Sequence, residues 1–323
     1  MSERTNTAKQ TGTRQTDGRA FEVRVPASTS NLGAGFDCLG LALQLYLTIR
    51  ATVTPRSKAK CRVRTTGATE NKLLPRNAEN LIYRALAYAA EREGLALPPL
   101  DLAVHNDIPL GRGLGSSAAS IVGGIKLYAR LCGELSAEKV LQYAAEFEGH
   151  ADNVAACLLG GFTVSCTGPQ GNVIAVKRAW PGGIKVVVVS PETHMETKLA
   201  RAALPRHINH ADAVYNLQRV ALFNAALFER RYDLLWEAMQ DRLHQKKRQS
   251  LVPGLAEALA TQQMPGLLGL ALSGAGPSVV ALAQDHFDQI GETVAQCFKQ
   301  RGIGATVRQL EIDNRGCQSR LLR

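Results

Sequence analysis

Glycines 111, 113 and 115 alternate through the stretch Pro109-Leu110-Gly111-Arg112-Gly113-Leu114-Gly115-Ser116-Ser117-Ala118-Ala119, and two serines follow directly. An extended apolar run, Leu100 to Ile108, leads in, and apolar residues at helical spacing (Ala118, Ile121, Val122, Ile125, Tyr128, Ala129) lead out. A strand, a glycine loop and a helix in that order suit an anion. Glycine takes positive φ and lets the backbone come close, while the helix start offers unpaired N–H groups and a positive dipole end. The chemistry is that of a phosphate cradle. The dinucleotide fingerprint is excluded because its third glycine would fall at Ser116, and the Walker A loop because it needs a Gly-Lys-Ser/Thr that is absent.

Four further clusters carry polar chemistry. Pro26 to Asp37 (PASTSNLGAGFD) reads as a connection between two strands that gathers hydroxyls, an amide and a carboxylate on a loop with two glycines, suited to several directional hydrogen bonds to a small polar ligand. Val140, Ala144 and Glu148 share one face of a helix, so a carboxylate continues an apolar stripe at the helix end. Thr197 and Arg201 share another helix face at i, i+4, where a planar guanidinium can grip a carboxylate with two prongs. Ser273-Gly274-Ala275-Gly276-Pro277-Ser278 is a tight turn joining two apolar strands.

The elements that must position these clusters follow from patterning. Residues 1–19 are polar and without periodicity, and a disordered tail is expected there. Phe21 to Val25 reads as a strand; Leu39, Leu41, Leu43, Leu45, Leu47 and Ile49 alternate strictly and predict a long strand; Cys61 to Thr66 follows as another. Helices are predicted over 78–93 and 150–160, and strands over 162–166 and 173–177. Pro181-Gly182-Gly183 is the expected boundary, giving an N-terminal domain over 20–180 and a C-terminal domain over 181–323. Beyond it the pattern predicts strands at 184–189, 267–272, 279–283 and 305–310, and helices at 195–203, 211–230, 232–246, 252–262 and 285–300. Strands mixed with helix pairs argue for an α+β fold.

Composition narrows the function class. In 323 residues, 45% hydrophobic, no apolar run reaches the ~18 residues a membrane helix needs, and the first twenty lack the apolar middle of a signal peptide, so a cytoplasmic protein without a membrane partner is expected. Seven cysteines without a CxxC pair read as reduced thiols. The net charge of +10 would suit nucleic acid, but aromatics are 5% and basic residues are spread along the chain, so no nucleic-acid partner is expected. The positive field serves equally to draw in a nucleotide and an acidic substrate.

The motifs together resemble the GHMP kinases, the superfamily of galactokinase, homoserine kinase, mevalonate kinase and phosphomevalonate kinase. The glycine stretch, Pro109 to Ala119, is similar to their ATP-binding motif. Residues 26–37 resemble the homoserine kinase motif PATSANLGPGFD, departing at Thr29-Ser30 and at Ala34. Glu148-Gly149-His150-Ala151-Asp152-Asn153-Val154 is similar to E-G-H-P-D-N-V, with Ala151 for proline. Thr197 to Pro205 is similar to T-x-x-A-R-x-x-L-P, Asp241 to Gly254 to a stretch ending L-x-P-G with Lys246 where a proline is usual, and Ser273 to Ser278 to the superfamily's third motif.

The resemblance implies a two-domain GHMP kinase fold with a ferredoxin-like C-terminal domain and the site between the two. It implies ATP-dependent phosphorylation of L-homoserine to O-phospho-L-homoserine, on the route to threonine, with Mg²⁺ held by Ser117 and Glu148. Substrate contacts would come from Asn31, Asp37, Asn153, Thr197, Arg201 and Arg248, with Asp37 pairing the ammonium group. Asn153 stands where mevalonate and galactose kinases carry an aspartate. An amide cannot take the hydroxyl proton, so catalysis by Glu148, Asn153 and Arg201 would rest on positioning and charge neutralisation, the proton passing to phosphate or water. Another small-molecule GHMP kinase is the alternative, and a homodimer is left open as the assembly.

Overall fold

The computed structural model describes residues 19–68 and 74–322. The expected N-terminal tail lies outside them apart from Arg19. The first half runs β1 (Ala20–Asn31), β2 (Gly35–Val53), β3 (Cys61–Gly67), α1 (Leu81–Arg92), β4 (Leu100–Asn106), α2 (Ser116–Leu131), α3 (Ala137–Glu148), α4 (Asp152–Leu159), β5 (Phe162–Thr167) and β6 (Val173–Arg178). The second runs β7 (Lys185–Pro191), α5 (Thr197–Ala202), α6 (His210–Phe228), three short helical turns α7 (Leu235–Ala238), α8 (Gln245–Arg248) and α9 (Leu255–Leu259), then β8 (Leu267–Leu272), β9 (Val279–Ala283), α10 (Phe287–Lys299), β10 (Ala305–Leu310) and β11 (Gln318–Leu322).

The first sheet has the order β11-β1-β2-β4-β3, with β5 on β2 and β6 on β5. Its one parallel pair, β3 with β4, is bridged by α1, because parallel neighbours need a crossover. The second sheet is antiparallel in the order β10-β7-β9-β8. With β7, β8, β9 and β10 in sequence and helices between, that order is the ferredoxin-like one.

Strand β7 shows why the halves hold together. Val186 and Val188 pack into the core shared with the first half, while Val187 and Val189 pack into a second core under α9 and α10. The side-chain period of two turns alternate valines to opposite faces, so a continuous apolar run is what a sheet covered on both sides requires. Among the described residues, no helix is long and apolar enough to cross a membrane.

Four sequence expectations change. The strand read over 21–25 continues to Asn31, and what read as a loop is a hairpin whose turn is only Leu32, Gly33 and Ala34. Both faces of this strand end are buried, and Ser28, Thr29 and Ser30 fit there because each hydroxyl has a distant partner. A register shift at Pro26/Ala27 accommodates the proline, which has no N–H for the ladder. The single helix expected over 232–246 is broken. The Asp241 carboxylate accepts the backbone N–H groups of Leu243, His244 and Gln245, and this local capping competes with helix continuation. The helix expected over 252–262 shrinks to 255–259 because Gly254, at φ 86°, sits in the left-handed region. Finally, the segment 181–323 does not stay in the second half: β11 returns to pair with the edge strand β1, and Ile312 bridges to Leu43. The polar run Gln318-Ser319-Arg320 hid this strand, since an edge strand needs only one apolar face.

Candidate active site

A cleft of about 290 Å³ opens where the two halves meet, and the glycine loop forms one wall. Gly113 has φ 74°, and a Cβ there would collide with the Ser273 carbonyl oxygen. Ser273 in turn donates its hydroxyl to the Gly113 carbonyl (2.6 Å) and contacts Thr29 Oγ1 (2.9 Å), so the 273–278 turn fixes the loop's shape. Gly115 caps α2 in the left-handed conformation without any side-chain capping bond. The first-turn N–H groups of this 16-residue helix are therefore left for an anion. Arg112 adds a cation: its Nη1 is out of solvent and has no hydrogen-bond partner among the described residues. Burial lowers its pKa against the pull of Glu192.

Helix α3 delivers the second element. Val140 and Ala144 are fully buried on its core face, and Glu148 continues that face as the last helical residue before Gly149 turns the chain at φ 90°. Glu148 accepts a hydrogen bond from Ser117 Oγ at 2.9 Å. Burial raises its pKa, and His150 and Ser117 only partly oppose this. No group of three or more His, Cys, Asp or Glu side chains assembles into a metal cage among the described residues. One carboxylate and one hydroxyl beside a phosphate cradle are nonetheless the donor set that suits Mg²⁺, which draws its remaining oxygens from phosphates and water.

Asn153 is held from both ends: its Oδ1 accepts from Ser28 Oγ and its Nδ2 donates to Ser30 Oγ, each at 2.8 Å. Beside it Asp152 is 2% exposed and 3.0 Å from His150 Nδ1. Burial pushes the Asp152 carboxyl upward, but the bonds from His150, Ser30 and the Asn153 N–H prevail and leave it below the usual range. The same pair raises His150, since Asp152 outweighs desolvation.

The remaining wall reads charge. Arg201 on α5 makes a two-pronged ion pair with Asp37, at 2.7 and 3.0 Å. This revises the expectation that the two act separately, one per substrate terminus. Asn31 steers Asp37 by accepting its backbone N–H at 3.0 Å, and reaches across to the Gly274 carbonyl with its amide at 2.8 Å. Arg248 is 1% exposed and donates to the carbonyls of Ala200 and Gly274. It has no carboxylate within ion-pair distance among the described residues, and burial with repulsion from Arg201 lowers its pKa to about 10. A buried guanidinium without a counter-ion beside a polar cleft is a place for an anionic group. The Phe36 ring lies 5.6 Å from Arg201 and 5.3 Å from Arg248, spacing the two cations.

Asn31, Asp37, Pro109, Gly111 to Ser117, Glu148, Asn153, Thr197, Arg201 and Arg248 all line this one cleft. Leu110, Ala118 and Ala119 do not; the two alanines are fully buried and pack α2 on the core. Sequence reasoning missed Phe36, Asp152, His194 and His244. Phe36, Asp152 and His244 lie inside the motifs at 26–37, 148–154 and 241–254; His150 beside Asp152 and Arg248 four residues after His244 were the available signals, whereas the contact of Phe36 with Arg201 joins distant segments and left none. Nothing local marks His194, which packs on Gly111.

Comparison with known proteins identifies the family. Residues 80–161 match the N-terminal domain of GHMP kinases, and residues 223–300 their C-terminal domain. A homoserine kinase of Deinococcus radiodurans is 43% identical over 305 residues, covering 92% of this chain and 96% of that protein. One of Desulfitobacterium hafniense is 38% identical over 296 residues, 91% and 98% of the two chains. The crystal structure of homoserine kinase from Cytophaga hutchinsonii superposes with a TM-score of 0.81 at 28% identity, covering 93% of this chain and 97% of that one. With both domains matched and such identity sustained over more than nine-tenths of the chain, the chain belongs to the homoserine kinase family of the GHMP kinases.

Proposed function

We propose that the cleft transfers the γ-phosphoryl group of ATP to the side-chain hydroxyl of L-homoserine, releasing ADP and O-phospho-L-homoserine for threonine biosynthesis. The observation that carries this reading is the joining, in one cleft, of an anion cradle at 111–117 to an Asp37–Arg201 pair with the unpaired Arg248 nearby. A zwitterion meets both charges of that pair, its carboxylate drawn to Arg201 and Arg248 and its ammonium group to Asp37. Ser117 and Glu148 would hold Mg²⁺, which when bound supplies charge neutralisation to the phosphates. Asn153, locked by Ser28 and Ser30, orients the substrate hydroxyl, and the proton leaves to phosphate or water. The described cysteines are all unpaired thiols, in keeping with a reducing cytoplasm.

A panel of alcohols assayed for ADP release tests the assignment. L-Homoserine is expected to give the highest kcat/KM; faster turnover of mevalonate or a sugar would overturn the substrate reading. Gly113→Val tests the cradle. A β-branched residue there must adopt φ near 74° against the Ser273 carbonyl, and strain of this kind costs about 1–3 kcal/mol. ATP affinity by calorimetry is expected to fall on the order of 10-fold or more. Unchanged affinity in a folded variant would rule the cradle out.

A further inference from the structure

His244 is wholly buried and bridges two parts of the site that the chain brings from far apart. Its Nε2 lies 2.8 Å from the carbonyl of Gly33, in the hairpin turn that leads to Asp37, and its Nδ1 lies 3.1 Å from Nη1 of Arg248. These partners settle the proton positions. A carbonyl only accepts, so Nε2 carries the hydrogen; a guanidinium only donates, so Nδ1 is a bare acceptor. Both nitrogens are satisfied only by the neutral Nε2–H imidazole.

We infer that His244 is a positioning residue: as a neutral imidazole it ties the 32–34 turn to Arg248, fixing the guanidinium that takes the substrate carboxylate relative to the loop that takes the ammonium group. The inference rests on the amino-acid reading of the cleft. Three charged groups face the ring. Asp241 is 3.8 Å from Nε2, beyond hydrogen-bond range, and its oxygens are engaged by the N–H groups of residues 243–245 and by Asn216 Nδ2. Asp37 acts at longer range, and Arg248 repels a second proton. Burial, the largest influence, combines with Arg248 to keep the imidazole below the usual histidine range despite the two carboxylates. Protonation at Nδ1 would turn the Arg248 contact from attraction into repulsion between two donors. Asn216 extends the link by donating to both the Ala34 carbonyl and Asp241, so the turn and the Asp241 capping loop move as one unit.

The test combines the wild-type enzyme with two variants. Nitrogen-15 shifts of the His244 ring are expected to report the neutral Nε2–H tautomer at neutral pH. The amide oxygen of Asn falls near the place of Nδ1, and the amide nitrogen of Gln near that of Nε2. His244→Asn therefore keeps the acceptor for Arg248, while His244→Gln keeps only the donor to Gly33. His244→Gln is expected to raise the KM for homoserine about 10-fold, with kcat and the KM for ATP near wild type, because Arg248 loses a buried partner. His244→Asn keeps Arg248 partnered and releases only the turn, so it is expected to raise that KM less, by no more than about threefold. With homoserinol, which has no carboxylate, the two variants should behave alike. An imidazolium or Nδ1–H tautomer in the wild type, or equal losses with homoserine and homoserinol in His244→Gln, would overturn the inference. If His244→Gln does not fold, the tautomer decides. Failure of the wild type to use homoserine would overturn the functional reading and leave the tautomer result standing.

Discussion

Ser117→Ala and Glu148→Gln are each expected to lower kcat on the order of 10²-fold or more without loss of the fold. The two side chains share one hydrogen bond at the entrance to α2, and they are the protein oxygens we propose to hold Mg²⁺ against the nucleotide phosphates. Removing either leaves phosphate charge unneutralised where the barrier is set by charge. Stability should move the other way. Burial raises the Glu148 pKa, so folding favours its protonated form; its contribution is full below the unfolded pKa and is lost as pH rises through the folded one. Once ionised, the carboxylate therefore strains the fold, and Glu148→Gln should melt no lower than wild type. Mg²⁺-dependent turnover surviving in the double variant would sink the assignment.

Much of this site is legible in the sequence because each motif is a local solution to a local problem. The glycines at 111, 113 and 115, the cap at Gly149 and the 273–278 turn need particular residues whatever surrounds them. The ferredoxin-like half is legible for a similar reason: Val186 to Val189 can only be a strand buried on both faces. What escapes is whatever depends on partners far along the chain. Asp37 and Arg201 are separated by 164 positions, and no pattern within either motif says that they pair. Asp241 interrupts the helix expected over 232–246 by capping the turn that follows it, an effect invisible to periodicity. Strand β11 is specified by the open edge of β1 more than by its own residues. His244 and Phe36 are ordinary residues in isolation; the importance of Phe36 comes from the two arginines beside which the fold places it, and that of His244 from Arg248 and the Gly33 carbonyl.

Homoserine is expected to outperform both 4-hydroxybutyrate and homoserinol by large factors, and Arg201→Ala to weaken the preference for a carboxylate without abolishing it. The pairing of Asp37 with Arg201 makes this sharper than two independent contacts would. A zwitterion can exchange the internal pair for two external ones, keeping every charge partnered. A ligand with only one charge must break the pair and leave the other residue alone, a loss of roughly 2 to 5 kcal/mol for a desolvated contact. Both side chains here are about one-third exposed (36% each), so solvent screening places the expected loss toward the lower end. Arg248 is different, being 1% exposed and without a carboxylate partner among the described residues, so the grip proposed for it on the substrate carboxylate would be hardly screened. Arg248→Met should therefore raise the KM for homoserine more than Arg201→Ala does. It should leave homoserinol turnover nearly unchanged, since that substrate offers it nothing to bind. In Asp37→Asn the discrimination should invert in kind: 4-hydroxybutyrate, which lacks the ammonium group, loses least, and homoserine falls toward it. Steady-state kinetics of the three substrates against these variants decide the matter. If Arg248→Met affected homoserinol as strongly as homoserine, Arg248 would be serving the fold and not the carboxylate, and the assignment of substrate ends would be wrong.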